Sequence, residues 1–229
     1  MKIGVIIPDH GGREGLIKFA IEQMQQQTVK PEVIFRISPE FLAPNGSIDL
    51  IARLKIGLEH AKEMRMDFVL IIEDDYYPAD YIERFVPYMH LDFVGQNYTT
   101  YYHLKNRTWK LFNGSDHKYR SSLFTTGFRL SALNHWNWNS LRPDTAFVDI
   151  KIWEYARRRT KAFIDTGAIG MKHGVGHCAG KGHLMTFPNK DADLSWLKSK
   201  VDESSFEFYK SISDELQRNT MGHPIGKMS

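Results

Sequence analysis

The hydrophobic pattern of the first 40 residues alternates between strand-like and helix-like segments. Residues 3–8 form an almost entirely apolar run that Pro8 ends, which is typical of a strand buried on both faces. Apolar residues then recur at helical spacing over residues 14–27, and Pro31 precedes a second strand-like segment at residues 32–37. The pattern predicts a β-α-β unit, and hence two parallel strands joined by a right-handed crossover.

The same alternation continues towards the middle of the chain. Residues 48–64 carry apolar positions on one helical face, and residues 67–72 form a third solidly apolar strand. A short helix at residues 79–89 and a strand at residues 92–96 are predicted next. Residues 97–125 are rich in aromatic and polar residues, which favours strands and loops. This order of elements predicts an α/β protein with a mostly parallel central sheet.

The second half of the chain is less regular. Helices are predicted at residues 129–134 and 146–157, and a strand at residues 162–169. Apolar and aromatic residues of the C-terminal tail recur in a pattern that favours one or two helices. We therefore expect one domain over residues 1–190, with a helical extension over residues 191–229 packing on it.

Composition changes this picture little but narrows the class of protein. Of the 229 residues, 42% are hydrophobic and 25% are charged, as is usual for one globular α/β domain. No apolar run is long enough to cross a bilayer. The single cysteine, Cys178, cannot form an intramolecular disulfide, so we expect a cytoplasmic protein. The net charge of +3 is smaller than the imbalance expected of a dedicated DNA-binding domain.

Three consecutive carboxylates, Glu73, Asp74 and Asp75, follow the apolar segment VLII. Such a cluster is costly at the end of a buried strand, because like charges repel and each resists desolvation. Ligands of open parallel sheets bind beyond the carboxyl ends of the strands, and carboxylate oxygens suit Mn²⁺ or Mg²⁺. We therefore expect a site for Mn²⁺ or Mg²⁺ here. The alternative is that one carboxylate caps the next helix while the others are solvated.

Two long segments surround these elements. The first reads VIIPDHGGREGLIKFAIEQMQQQT and joins an apolar strand, a proline, a polar loop with an arginine, and a helix ending in Gln-Thr. The second reads NGSIDLIARLKIGLEHAKEMRMDFVLIIEDDYYP and runs into the acidic cluster. Together they resemble the large inverting family 2 of glycosyltransferases. The matching positions are Pro8, Arg13, Leu16, Gln27, Thr28, Asn45, Ala52, Gly57, Ala61, Asp74 and Asp75.

The resemblance implies the GT-A fold, a Rossmann-like three-layer sandwich around a mostly parallel sheet. It also implies that a sugar is transferred, with inversion, from a nucleoside-diphosphate sugar such as a UDP-sugar to an acceptor hydroxyl. Later segments are similar to the family's acceptor segment (TTGFRLSAL), base segment (AFVDIKIWEYARRR) and metal-binding histidine strand (IDTGAIGMKHG). In one departure, Arg36-Ile37-Ser38 stands where the family usually has the Asp-Asp pair that holds the base of the nucleotide.

The same resemblance assigns roles to the acidic residues. It implies that Asp75 and His173 hold the metal, with Glu73 beside them. Asp149 is then the base that deprotonates the acceptor hydroxyl, and Asp144 is the second candidate. The alternative for Asp149 is an aspartate of a helix terminus or an ion pair.

The donor site is expected at the mouth of the first strand. Pro8 and Asp9 are placed to meet the nucleoside, Arg13 to reach the diphosphate, and Arg53 and Asp74 to complete the site. The alternatives are that Asp9 forms a turn and that Arg13 pairs with a neighbouring acid.

Two tryptophans, Trp136 and Trp138, are spaced to lie on one face of an extended segment. Aromatic faces stack on sugars or bases, which suggests an acceptor site; half-buried packing is the alternative. Zinc bound by His173, His177 and His183 is a weaker interpretation than a carboxylate site, because cysteine is scarce.

Other functions remain open at this stage. A nucleotidyltransferase on a similar scaffold would also need carboxylates and a metal after a buried strand. A non-catalytic domain that binds carbohydrate or nucleic acid is compatible with the 13% aromatic content. The first loop has neither a Walker-type phosphate loop nor G-x-G-x-x-G. The acceptor is undetermined: a small glycan, a lipid-linked sugar, a protein or a modified base in DNA would each fit.

Overall fold

Two β-sheets organise the part of the chain that the structure, a computed structural model, describes: residues 1–9, 11–38, 50–113, 119–137, 148–174 and 184–221. The strands are β1 (Ile3–Pro8), β2 (Val33–Ile37), β3 (Phe68–Ile71), β4 (Phe93–Gly95), β5 (Thr99–His103), β6 (Thr108–Phe112), β7 (Thr126–Arg129), β8 (Lys161–Phe163), β9 (Ile169–Lys172) and β10 (Asn189–Lys190). The helices are α1 (Glu14–Gln25), α2 (Leu50–Glu63), α3 (Tyr81–Phe85), α4 (Val148–Ala156), α5 (Ser195–Lys198) and α6 (Glu203–Met221). None of these helices is both long and apolar enough to span a bilayer.

The larger sheet has six strands in the order β2-β1-β3-β7-β4-β8. Strand β1 pairs in parallel with both β2 and β3, and β4 pairs in parallel with β8. Strand β7 runs antiparallel to both of its neighbours, β3 and β4. The sheet is therefore mixed: five strands share one direction and β7 runs in the opposite direction. The predicted parallel pairing of the first two strands is confirmed.

Helices cover both faces of this sheet because its central strands are apolar on both faces. Alternate residues of β1 and β3 enter different cores: Ile6 and Val69 pack with α2 and α4, whereas Val5 and Leu70 pack with α1 and α3. Helix α1 buries an apolar stripe that includes Ile17. The protein is thus an α/β protein with helices on either side of a central sheet.

The smaller sheet has four strands in the order β10-β6-β5-β9. Strand β9 pairs in parallel with β5 and also touches the chain after β3 through a bridge between Tyr76 and Ile169. Residues from this sheet, from α1 and from the C-terminal helices form a third apolar cluster, in which Tyr102, Leu197 and Tyr209 are buried. The C-terminal segment therefore packs on the body of the protein.

The sequence pattern predicted the first half of the chain better than the second. The region predicted as a helix over residues 129–134 begins at the last residue of β7 and continues as a short 3₁₀ helix over Leu130–Leu133. The single strand predicted over residues 162–169 is two strands, β8 and β9, which belong to different sheets. Strand β7 was not predicted, since four residues are too few to show a period. Its Gly127 is required because a Cβ there would lie 2.7 Å from side-chain atoms of Leu70 and Phe68.

Candidate functional site

The acidic turn, which we define as Glu73, Asp74 and Asp75, lies at the carboxyl end of β3 in the middle of the larger sheet. The backbone directly after it is held to β9 by two hydrogen bonds between Tyr76 and Ile169, at 3.0 and 3.1 Å. The turn therefore sits at the junction of the two sheets, and it is reached from the loop after β1 and from the end of β9.

Asp74 is the most fully paired member of the turn. Nη1 of Arg13 donates hydrogen bonds of 2.8 Å to both of its carboxylate oxygens, and Nε2 of His173 donates to Oδ2 at 2.9 Å. Burial on its own raises the pKa of the Asp74 carboxyl, but the hydrogen bond from His173 and the charge of Arg13 outweigh burial and lower it. Asp74 is therefore a stable carboxylate that joins the loop after β1 to the end of β9.

Asp75 is buried, but only one of its two carboxylate oxygens has a hydrogen-bond partner among the described residues. Its Oδ1 accepts a hydrogen bond of 2.6 Å from the backbone N–H of Met171. Its Oδ2 is buried and has no hydrogen-bond partner among the described residues. Burial raises the pKa of Asp75 to about 8, and the negative charges of Asp74 and Glu73 also raise it, while Lys172 opposes the rise. A proton or a cation would satisfy the remaining oxygen.

Glu73 is partly buried at the start of the turn. Its backbone N–H donates a hydrogen bond of 2.7 Å to the hydroxyl of Tyr77, which fixes the direction in which the turn leaves β3. Burial raises the pKa of the Glu73 carboxyl; Lys172 counteracts this rise, whereas Asp74 and Asp149 add to it. The effect of Asp149 places that aspartate in the electrostatic surroundings of the acidic turn.

Two buried polar atoms of this region lack a hydrogen-bond partner among the described residues: Oδ2 of Asp75 and Nε of Arg13. Arg13 binds Asp74 through its Nη1. The side chain of Gln23 is engaged at both ends, because its Oε1 accepts a hydrogen bond of 2.9 Å from the backbone of Tyr77 and its amide interacts with the hydroxyl of Tyr209. Buried polar groups of native proteins are normally satisfied, so one donor and one acceptor left open here favour a polar ligand or bound water.

The loop after β1 brings together three of the residues predicted for the donor site. The buried carboxylate of Asp9 accepts a hydrogen bond of 2.7 Å from the backbone N–H of Gly11. It also forms an ion pair with Arg36, with 2.7 Å between Oδ2 and Nη2. The guanidinium of Arg53, buried in α2, donates to the backbone carbonyl of Asp9. Asp9 thus forms a turn, as the alternative interpretation held, and is also paired with the arginine that replaces the family's Asp-Asp pair. Pro8 ends β1 directly before it.

Asp149 lies in the first turn of α4 and is largely buried. Its carboxylate forms an ion pair with Arg120, as the alternative interpretation of this residue held. Burial raises the pKa of Asp149, and the charge of Arg120 reduces this rise without cancelling it. A carboxylate with a raised pKa has the properties of a proton acceptor.

The remaining predicted residues are placed differently. Trp136 stacks on Tyr155 with ring centroids 5.7 Å apart and packs against the apolar core, which favours the packing interpretation over an acceptor site. Asp144 and Trp138 lie outside the described residues, as do His177 and His183. The predictions made for these residues remain predictions.

Two basic residues of the site were missed from the sequence. Lys172 ends β9, immediately before His173, and its charge acts on all three carboxylates of the acidic turn. Arg120 lies in a loop and pairs with Asp149. Lys172 had a signal, since it belongs to the KHG segment that was singled out for its histidine; Arg120 had none.

The described residues do not form a ready metal cage. No group of three His, Cys, Asp or Glu side chains among them is arranged as ligands for one ion. His173 contacts Asp74, not Asp75, so the predicted pair of metal ligands is not in direct contact in this arrangement. A surface groove of about 600 Å³ lies along the exposed side of α6 and shares no residue with the acidic turn or its contacts.

Comparisons with known proteins give little guidance. No protein-family model matches the chain, and no curated protein sequence is significantly similar to it. Among solved structures, the chain is similar to the one titled "Crystal Structure of A197 from STIV", with a TM-score of 0.44 and 17% sequence identity. That similarity covers 78% of this chain and 98% of the other. The function of the site therefore has to be judged from its own residues.

Proposed function

We propose that this protein is a glycosyltransferase of the GT-A type that transfers a sugar from a nucleoside-diphosphate donor to an acceptor hydroxyl. The observation that carries the proposal is the acidic turn at the carboxyl end of a central strand, bonded to Arg13 from the loop after the neighbouring parallel strand. Ligands of open α/β sheets bind at such strand ends. The helices on both faces and the largely parallel sheet support the finer assignment to GT-A.

The donor set of the turn fits Mn²⁺ or Mg²⁺. Asp75 has a buried oxygen without a hydrogen-bond partner among the described residues, and Glu73 lies two positions before it in the same turn. Both carboxyls have raised pKa values that a divalent cation would lower. Asp75 and Glu73 would hold the ion, with His173 as a further ligand. When bound, the ion would neutralise charge on the departing nucleoside diphosphate.

The chain's own residues divide the remaining work. Arg13 is fixed by Asp74, and its buried Nε–H has no hydrogen-bond partner among the described residues, so it has a donor for an oxygen of the diphosphate. Asp149 is the proposed base: one of its carboxylate oxygens takes the proton of the acceptor hydroxyl while the acceptor oxygen bonds to the anomeric carbon of the sugar. The bond from that carbon to the diphosphate breaks at the same time, and the nucleoside diphosphate leaves with the electron pair. The raised pKa of Asp149 makes its carboxylate a stronger proton acceptor than an ordinary aspartate.

A screen of nucleotide sugars by thermal shift, with and without Mn²⁺, tests the proposal. A donor that binds only the folded protein raises its melting temperature, and we expect at least one nucleoside-diphosphate sugar to do so in Mn²⁺. Slow hydrolysis of that donor should release free sugar and nucleoside diphosphate. Release of pyrophosphate would instead identify a nucleotidyltransferase. Binding of glycans or oligonucleotides without any donor affinity would identify a non-catalytic binding domain.

A further inference from the structure

Lys172 is a basic residue of the site to which the proposed reaction gives no role. It is the last residue of β9, and the residue before it, Met171, binds Asp75 through its backbone. A lysine ammonium is positively charged at neutral pH. The carboxylates of the acidic turn, Asp75 foremost, interact electrostatically with it.

The ammonium is held in place by an aromatic ring instead of a direct ion pair. Nζ of Lys172 lies 4.8 Å from the centroid of the Tyr101 ring, over its face. The ion pairs found between described residues include other contacts of the acidic turn, with Arg13 and His173, but none with Lys172. Because its side chain is only partly buried, the ammonium has donors left for a ligand.

The Tyr101 ring is itself fixed on two sides. Its hydroxyl is 2.8 Å from the hydroxyl of Ser122. Across the parallel pairing of β5 and β9, Tyr101 faces Gly170, where a Cβ would lie 2.4 Å from the ring. Because Gly170 has no Cβ, the Tyr101 ring can approach β9 closely. Lys172 is two residues further along the same strand. The position of the ammonium is therefore set by the sheet and not by a flexible loop.

The charges of the site call for such a cation. With His173 left out of the count and all three carboxylates of the acidic turn ionised, as they would be with a divalent ion bound, these carboxylates and the cations Arg13 and Lys172 sum to a formal charge of −1. A divalent ion would change this to +1, which attracts a diphosphate, whereas without Lys172 the total would be zero. An ammonium is a strong point donor for phosphate oxygens.

We propose that Lys172 is a phosphate-binding residue of this site, whose ammonium contacts the diphosphate of the donor alongside the metal. This inference rests on the proposed function, because it gives that donor site a second fixed cation next to Arg13. It extends the site from the larger sheet onto β9 of the smaller sheet.

The test is calorimetric binding of inorganic pyrophosphate and of UDP to the full chain, with and without Mn²⁺. Lys172→Ala should weaken pyrophosphate binding by roughly 10-fold or more, the usual effect of losing a hydrogen bond to a charged group. Lys172→Arg should retain most of the affinity. Lys110→Ala is the matched control: Lys110 also lies over a ring, 4.2 Å from the centroid of Phe112, on the neighbouring strand β6, and its loss should leave binding unchanged.

Affinity for Mn²⁺ alone separates this role from structural damage. Loss of a nearby positive charge should leave Mn²⁺ binding by Lys172→Ala unchanged or tighter, so a weakened metal site would indicate distortion and overturn the proposal. If Lys172→Ala and the wild type bind pyrophosphate with equal affinity, the proposal is also overturned, even if the protein is found to transfer sugar from a nucleotide donor. Conversely, lysine-dependent pyrophosphate binding without any sugar transfer would contradict the proposed function and leave the role of Lys172 standing.

Discussion

The backbone N–H of Met171 donates a hydrogen bond of 2.6 Å to Oδ1 of Asp75, across 96 positions of the chain. This bond joins the acidic turn, at the end of β3 in the larger sheet, to the end of β9 in the smaller sheet. It also orients the carboxyl so that Oδ2 is the oxygen left without a partner among the described residues. The chemistry of the site depends on what that second oxygen binds.

The raised pKa of Asp75 predicts an unusual dependence of stability on pH. Between its value in the unfolded chain, about 4, and about 8 in the folded protein, the folded state holds a proton that the unfolded state has released. The free energy of unfolding should therefore fall as pH rises from 5 to 8, by at most about 1.4 kcal/mol per pH unit for one proton. The raised pKa of Glu73 acts in the same direction.

Urea unfolding at several pH values in metal-free buffer measures this slope. Asp75→Asn removes the ionisable group, so its unfolding free energy should depend less on pH and should exceed that of the wild type at pH 8. Asp165→Asn, at an exposed carboxylate, is the control that should keep the wild-type slope. A wild-type protein that becomes more stable from pH 5 to 8 would contradict a buried, protonated Asp75.

Metal binding should depend on Asp75 more than on His173. Asp75→Ala should abolish Mn²⁺-dependent donor binding while the fold survives, because the turn loses a buried carboxyl of which one oxygen has no hydrogen-bond partner among the described residues. His173→Ala should weaken Mn²⁺ binding roughly 10-fold to 100-fold, since a single supporting ligand is lost. Titration with Mn²⁺ followed by electron paramagnetic resonance measures both. Donor affinity in Mn²⁺ that survives Asp75→Ala would show that the ion is held elsewhere.

The ion pair between Arg13 and Asp74 should be a major contributor to stability. Both side chains are at most 7% exposed, so Arg13→Ala leaves a buried carboxylate with only His173 as a partner. We expect a loss of about 3 kcal/mol in unfolding free energy at pH 7. Lys151→Ala breaks an ion pair whose side chains are 50% and 44% exposed and should cost less than about 1 kcal/mol. Equal effects of the two substitutions would mean that the buried pair is hydrated.

Asp149→Asn tests the base. The amide keeps the shape of the carboxylate but cannot accept the proton, so transfer should fall roughly 100-fold to 10,000-fold while donor binding persists. Because Arg120 lowers the pKa of Asp149, Arg120→Met should move the acidic limb of the pH–rate profile to higher pH. A parallel loss of donor binding in Asp149→Asn would indicate a structural role. Full activity would leave Asp144 as the candidate.

The C-terminal helix should be needed for the fold of the whole protein. Tyr209 of α6 is 1% exposed and makes an edge contact with Phe19 of α1, at 5.6 Å between centroids. Tyr209→Ala should cost about 3–5 kcal/mol in unfolding free energy, as for other buried aromatic residues. Lys210→Ala, one position along the same helix and 44% exposed in its side chain, should change it by less than about 0.5 kcal/mol. A small effect of Tyr209→Ala would make the segment a separable extension.

Residue order alone predicted the repeating strands and helices of the first half and the position of the acidic turn at a strand end. These features are local: a period of two or 3.6 residues, or a run of apolar residues, reports which faces are buried without reference to distant parts of the chain. The same local signals were ambiguous for β7, β8 and β9. Those strands have only three or four residues each, and this is too short for a period to distinguish strand from helix.

The surroundings of the carboxylates depend on how the whole chain folds. Arg13 and His173 reach Asp74 across 61 and 99 positions of the chain, and Lys172 joins them because β9 pairs with β5 beside the end of β3. Burial, which sets the pKa values of Asp75 and Glu73, likewise depends on how two sheets and the C-terminal helix pack together. Strand order and packing are properties of the whole chain, so the acidic motif could be found from the sequence but its partners could not.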